Sequence, residues 1–204
     1  MFIISCEQIH NPSNNDCIDY NSQRNNSIPM SDTPRILDAT CGGRSIWLDE
    51  HKANDNTIYV DRRQESAEFH GQEGRYYAVQ PNILADNRRL PFQSDTFDMA
   101  VFDPPHVLRE NGMKQLSGHV VKKYGALTAE TWQDDLNRSM CELFRVLTDA
   151  GTLIFKFADV ETDWKDVLDV LPVDPLFGTT TKKTSNQETR WFTLHASQYN
   201  PDLE

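Results

Sequence analysis

Asp103-Pro104-Pro105-His106 closes the apolar run Phe97-Asp98-Met99-Ala100-Val101-Phe102. A buried strand that ends in a carboxylate and two prolines sets a polar acceptor and a stiff bend at the lip of a sheet. The Asp103 carboxylate and the Pro104 carbonyl are two acceptors held in fixed relation, a pair suited to the N–H groups of an amine. His106 adds an imidazole that can stack on a flat ring or take a proton near neutral pH. A strand-ending turn with a solvated carboxylate would explain these four residues taken alone. Three further groups argue for more: Asp38-Ala39-Thr40-Cys41-Gly42-Gly43, Asp61 and Asp86 each stand at or just past the end of an expected strand. In an open α/β sheet that edge is where ligands bind.

The elements that must carry these residues follow from the apolar runs. Residues 7–33 are rich in Asn, Ser, Asp and Gln without apolar periodicity, so 1–33 is expected to be a polar arm, either flexible or ordering over a ligand. From Pro34 the pattern becomes regular. Arg35–Ala39 is a short apolar run between Pro34 and a Cys-Gly-Gly turn, hence a strand. Ser45–His51 carries helical spacing. Thr57–Val60 is a second strand, a third is expected near Tyr77–Ile83, and Phe97–Phe102 is the fourth. Trp132, Leu136, Met140, Leu143, Phe144 and Leu147 recur at steps of three and four, which predicts a long helix over Ala129–Leu147. Thr128 is its expected N-cap, ahead of Thr131. Thr152–Phe157 is a fifth strand and Asp163–Leu171 a helix. Leu176–Thr181 and Thr189–Ala196 flank a polar Lys182–Gln187 turn and are expected to pair as a hairpin. The alternation predicts an α/β fold: a Rossmann-like three-layer sandwich with a mostly parallel sheet and a C-terminal antiparallel strand pair.

Length and charge narrow the classes. The 204 residues suffice for one α/β domain with a proper core, expected over 34–204. A formal charge of −11 argues against a protein that coats duplex nucleic acid, though not against a local basic patch. Cys6, Cys17, Cys41 and Cys141 form no Cys-x-x-Cys pair, and His51, His70 and His195 have no ligand spacing, so no metal site is expected. Scattered cysteines, and the lack of an apolar stretch long enough for a membrane span, lead to a cytoplasmic expectation with no membrane partner.

The glycine turn after the first strand lets a ligand approach the backbone. A helix starting near Arg44 would point amide donors at that ligand. Asp61 follows 23 positions after Asp38, the place of the acid that accepts ribose hydroxyls in dinucleotide folds. A redox dinucleotide is a rival ligand, but Arg44, Ile46 and Trp47 fill positions that its glycine series would use.

Ile36-Leu37-Asp38-Ala39-Thr40-Cys41-Gly42-Gly43 resembles the first motif of class I S-adenosylmethionine-dependent methyltransferases, in the form found in amino-methylating DNA and RNA enzymes. Ala85–Asp98, with Leu90-Pro91-Phe92 inside it, is similar to the passage before strand four of that family, and Arg145–Leu153 resembles its helix exit. The likeness spans about 34–195. It implies S-adenosyl-L-methionine as cofactor, with Asp38, Thr40, Cys41 and Gly42 around the methionine end, Asp61 on the ribose diol and Asp86 with Asn87 at the adenine. Arg44 departs from the family pattern, which has a further glycine there, and must point away from the cofactor or touch its carboxylate.

Asp103, Pro104, Pro105 and His106 resemble the Asp/Asn-Pro-Pro-aromatic signature of adenine-N6, cytosine-N4 and guanine-N2 methyltransferases, with His106 in place of the usual Tyr or Phe. The resemblance implies methyl transfer to an exocyclic amino nitrogen of a nucleobase in DNA or RNA. Residues 107–128 carry Arg109, Lys114, Lys122 and Lys123 against Glu110, with His119, Tyr124 and three glycines. They are expected to form a substrate loop for an anionic partner, a nucleic acid or nucleotide. Asp159 and Glu161 are secondary candidates for the same cleft. The chain has no room for a large target-recognition domain, so small or single-stranded substrates, the 107–128 loop, or an oligomer remain as routes to a target. Two other readings stay open: a small-molecule methyltransferase, and a non-catalytic cofactor- or protein-binding module.

Overall fold

Eleven strands and two α-helices are defined among the described residues of this computed structural model, which are 34–68, 73–74, 76–114, 123–182 and 188–200. The polar arm expected over 1–33 and residues 115–122 of the expected substrate loop, with Gly118, His119 and Lys122, lie outside them. In chain order the elements are β1 (Ile36–Asp38), β2 (Thr57–Asp61), β3 (Glu65–Glu68), β4 (Tyr76–Val79), β5 (Ile83–Leu84), β6 (Phe97–Phe102), β7 (Leu108–Arg109), β8 (Leu127–Thr128), α1 (Trp132–Val146), β9 (Leu147–Ala158), α2 (Trp164–Leu168), β10 (Phe177–Lys182) and β11 (Glu188–His195). Thr33–Glu204 is one compact unit.

The main sheet runs in the order β10-β11-β9-β6-β1-β2-β5. The pairs β1–β2, β1–β6, β2–β5 and β6–β9 are parallel, and β11 is antiparallel to both its neighbours. Only β11 therefore runs against the others, which gives the expected Rossmann-like, mostly parallel sheet with its late hairpin. From β1 the chain moves outward through β2 to β5, then crosses back to β6 and continues outward to β9. This reversal between β1 and β6 is a topological switch point, and it opens a crevice at the carboxyl ends of both strands.

The sheet and α1 share one apolar core. α1 buries Trp132, Leu136, Met140, Leu143, Phe144 and Val146, which pack with Leu37, Phe97, Phe102, Leu153 and Phe155. Arg145 at its last turn donates to the carbonyls of Phe92 at 3.0 Å and Leu90 at 3.3 Å, while Glu142 accepts the Leu90 N–H at 2.7 Å. Leu90-Pro91-Phe92 is thereby fastened to the helix, ahead of β6.

Several expectations need correction. No α-helix forms over Ser45–His51; the chain turns, and only Asp49–His51 makes a short 3-10 helix. Arg44 adopts φ +54°, off the right-handed helical path, and Trp47 turns inward instead. The third strand splits: Tyr76–Val79 pairs with Glu65–Glu68 in a separate hairpin, and only Ile83–Leu84 joins the sheet. Pro81 stands between them without an N–H to offer a ladder. Thr131, not Thr128, is the N-cap of α1, because Thr128 is already engaged in β8; the Thr131 hydroxyl bonds Asp135 at 3.1 Å rather than a backbone amide. α2 ends at Leu168, three residues short of the expected Leu171; its cap is Asp163, which accepts the Lys165 N–H at 2.9 Å.

After β6 the chain makes a parallel clasp. β7 pairs with β8, Leu127 N–H bonds the Val107 carbonyl at 2.9 Å, and Ala129 N–H bonds the Arg109 carbonyl at 2.9 Å. Glu161 pins the clasp by accepting the Leu108 N–H at 2.6 Å and pairing with Arg109 at 3.1 Å. Among the described residues no helix is long and apolar enough to cross a membrane.

α1 passes directly into β9, and Gly151 sits where the strand bends beside that junction. A Cβ there would meet the Thr148 carbonyl at 2.8 Å and the Leu147 side chain at 2.9 Å. Gly151→Ala is expected to destabilise the fold by about 1–3 kcal/mol through overpacking, read as a lower midpoint of urea unfolding at unchanged slope.

Candidate active site

Three strands deliver carboxylates to the crevice edge. Asp38, the last residue of β1, is wholly buried. Its carboxylate accepts the indole N–H of Trp47 at 2.7 Å and the backbone N–H of Thr40 at 3.2 Å. Burial pushes its pKa up to about 7, against the pull of those two donors and with the negative charges of Asp103 and Asp61 adding to the rise. Trp47 meets Tyr59 edge-on at 5.5 Å, and the Arg44 guanidinium lies 3.7 Å over the Tyr59 ring while donating to the Gln80 carbonyl at 3.0 Å. Arg44 thus points away from the crevice. Its backbone keeps the left-handed conformation that a glycine adopts at no cost.

Asp61 ends β2 and is also buried. One oxygen accepts the Gly42 N–H at 3.0 Å; the other accepts the Arg63 N–H at 2.9 Å and faces the Arg63 Nε at 3.4 Å. Gly42 has φ +47°, so the turn is drawn onto the end of β2 at a residue without a side chain. The Cys41 thiol lies between these groups; burial first, then Asp38 and Asp61, pushes its pKa up to about 12, so it stays neutral.

Asp86 is differently placed. Arg88 grips it through Nη2 at 2.6 Å and through its own N–H at 3.0 Å, with Arg62 at 3.8 Å. The Arg88 hydrogen bond chiefly holds the Asp86 carboxyl down to about 2. Arg88 itself lines the crevice and reaches Asp135 of α1 at 2.5 Å. Asn87 lies at the crevice wall, with its Oδ1 3.3 Å from the Ser139 hydroxyl.

Asp103 follows β6 directly. Its N–H bonds the Thr40 hydroxyl at 2.8 Å, tying the bend after β6 to the turn after β1 across the switch point. Its Oδ2 is 2.7 Å from the ammonium of Lys156 on β9. Burial pushes the Asp103 carboxyl up, while Lys156 and then His106 pull against that rise. His106 faces Tyr124 at 6.1 Å between ring centroids.

One crevice of about 920 Å³, its open mouth included, joins these groups. Thr40, Cys41, Gly42, Asp61 and Asn87 line one part, and Asp103, Pro104, Pro105 and His106 another. Asp38 stands behind the wall as a brace, and Asp86 is not on the lining. Asp159 and Glu161 are not on it either, Glu161 being used by the clasp. Sequence reasoning missed Arg63, Arg88, Asp135 and Lys156. A lone cation in the apolar run Leu153–Phe157 was the available signal for Lys156. The lining holds five basic and three acidic side chains among the described residues, in a protein of net charge −11.

Fold and crevice together define a Rossmann-like α/β protein with a mostly parallel sheet and a crevice at its switch point. No family model matches the chain, and no curated protein is similar to it in sequence. Solved structures with a similar course include a SAM-dependent methyltransferase from Leishmania major, 15% identical, covering 83% of this chain and 68% of that one at a TM-score of 0.44. Another is the 1,6-didemethyltoxoflavin-N1-methyltransferase of Burkholderia thailandensis, 10% identical over 79% and 70%, TM-score 0.45. A third is a SAM-dependent methyltransferase of Methanosarcina mazei, 12% identical over 80% and 92%, TM-score 0.43. At these identities and scores the likeness says nothing of what this chain binds or acts on.

The Asp38 titration has a definite sign. Unfolded, its carboxyl titrates near 3.9; folded, near 7. Its contribution to stability is full below about pH 4 and is lost as pH rises through 7, an effect of up to a few kcal/mol. Unfolding free energies at pH 5 and pH 8 are expected to differ less in Asp38→Asn than in the wild-type chain, whatever the variant's absolute stability.

Proposed function

We propose that this chain transfers a methyl group from S-adenosyl-L-methionine to an exocyclic amino nitrogen of a nucleobase, in a nucleic acid or nucleotide. The single observation that carries the reading is Asp103: a carboxylate at the carboxyl end of β6, bound through its backbone to Thr40 of the glycine turn, with both on the wall of one crevice.

The residues present fit the cofactor. Gly42, in a left-handed conformation, leaves the turn open to close approach, and Asp61 sets a buried anion beside it. In this reading Thr40–Gly42 hold the methionine end, Asp61 takes ribose hydroxyls by giving up its long contact to Arg63, and Asn87 meets the base. Asp86 acts through Arg88 rather than by direct contact. S-adenosylmethionine supplies an electrophilic methyl on a sulfonium, which leaves as a neutral thioether.

The chain's own work falls on the acceptor. An exocyclic amine is a poor nucleophile because its lone pair spreads into the ring. Asp103 and the Pro104 carbonyl accept its N–H groups, localise that pair and stabilise the positive charge that grows on nitrogen. The methylated nitrogen then loses one proton to water at the crevice mouth. Pro104 and Pro105 keep both acceptors aimed, and His106 and Tyr124 offer flat faces for a base turned out of a stack. The basic excess on the lining suits an anionic substrate. The scattered cysteines, none in a Cys-x-x-Cys pair, suit a reducing, cytoplasmic setting.

Calorimetry is expected to show S-adenosylmethionine binding, and tritiated methyl is expected to pass to DNA, RNA or nucleotides. Asp103→Ala should retain cofactor binding while transfer falls at least 100-fold. Absence of any cofactor binding removes the enzyme reading. Label found only in small amines moves the acceptor out of the nucleobase class.

A further inference from the structure

Lys156 has no place in the roles drawn so far, although it lines the crevice. It sits on β9, one residue past the Phe102–Phe155 register pair, so it stands level with Asp103 at the end of the neighbouring strand. Its stem lies in a strand whose flanking residues, Phe155 and Phe157, are buried in the core. Its ammonium is 5.7 Å over the ring of Trp191, its cross-strand partner on β11, and 2.7 Å from Asp103 Oδ2. Both side chains keep little exposure, 19% for Lys156 and 15% for Asp103.

A carboxylate has two oxygens and about four lone-pair positions. Lys156 takes Oδ2. Among the described residues no donor reaches Oδ1. One oxygen is therefore clamped, on a residue that lines the crevice. We infer that Lys156 is the positioning residue of the transfer site: by holding Oδ2 it fixes the orientation of the Asp103 carboxylate and leaves Oδ1 as the acceptor for the substrate N–H. This rests on the methyl-transfer reading above for its purpose, but the pairing is testable without it.

The charges around Asp103 support this assignment. Asp38 faces it from β1, with Asp61 beyond on β2, and both are acidic; His106 faces it from its own bend, and Lys156 is the fixed cation from β9. Without Lys156 a buried carboxyl beside other carboxylates would hold its proton to higher pH. A protonated Asp103 has lost much of its capacity to accept an N–H and to stabilise positive charge.

The test uses the full chain. Carbon-detected NMR follows the aspartate carboxyls, and the Asp103 signal is the one absent from Asp103→Asn. In Lys156→Met, which keeps the stem, the Asp103 midpoint is expected to move up by about one to three pH units. In Lys156→Arg, which keeps the cation, it should stay near the wild-type value. The acid limb of the methyl-transfer rate should move with the midpoint in each variant, while cofactor affinity above that limb stays constant. An Asp103 midpoint in Lys156→Met equal to wild type overturns the inference. A wild-type chain that transfers no methyl sinks the proposed function and leaves the NMR midpoint to decide Lys156. Should Lys156→Met fail to fold, the double variant Asp103→Asn/Lys156→Met decides: recovery of folding supports the pairing, because no uncompensated carboxylate remains. Failure of the double variant makes Lys156 a packing residue and overturns the inference.

Discussion

Three carboxylates stand at the carboxyl ends of adjacent strands, and each has given up most of its water. Asp38 and Asp61 are buried, and Asp103 keeps a small exposure. Removing a carboxylate from water is costly unless donors replace the solvent. The surrounding loops can be understood as the donor sets that this condition requires. The indole of Trp47 and the N–H of Thr40 serve Asp38, the N–H of Gly42 and Arg63 serve Asp61, and Lys156 serves Asp103. The donors come from three stretches of chain, the turn after β1, the residues after β2 and β9, so satisfying the three acids also fixes the shape of the crevice.

The electrostatics of the crevice consequently arise from side chains more than from a helix. The turn after β1 leads to no α-helix, and a 3-10 helix of three residues has little dipole to contribute. In its place Arg44 over the face of Tyr59 and Trp47 edge-on to it form a compact knot, with the Tyr59 hydroxyl bonded to the His51 carbonyl at 2.9 Å. That knot holds the indole where Asp38 needs it.

Much of this was legible in the sequence because burial leaves a simple trace. β6, β9 and β11 are apolar or β-branched runs bounded by turn residues, and α1 repeats its large apolar residues at helical spacing. Signals failed where tertiary contacts overrode local pattern. Ile46 and Trp47 have helical spacing with Glu50, yet Trp47 is drawn inward by a buried acid, which no periodicity reveals. β3, Glu65–Glu68, is polar and its pairing with β4 lies off the main sheet, so it lacks the apolar alternation that marks a strand. Asp86 has the register expected of a ligand-binding acid, but two residues on stands Arg88, whose reach back to it is a matter of side-chain conformation. Lys156 sits in a run otherwise read as core, where a single charge has meaning only beside its partner on another strand.

The clasp formed by β7 and β8 has a bearing on how such a chain can diversify. Because the two ends of the excursion that follows β6 are hydrogen-bonded to each other and pinned by Glu161, whatever lies between them is tethered at one point. The entropy of closing such an excursion grows only with the logarithm of its length. Segments of different size and composition can then be exchanged at this point while the sheet beneath keeps its geometry.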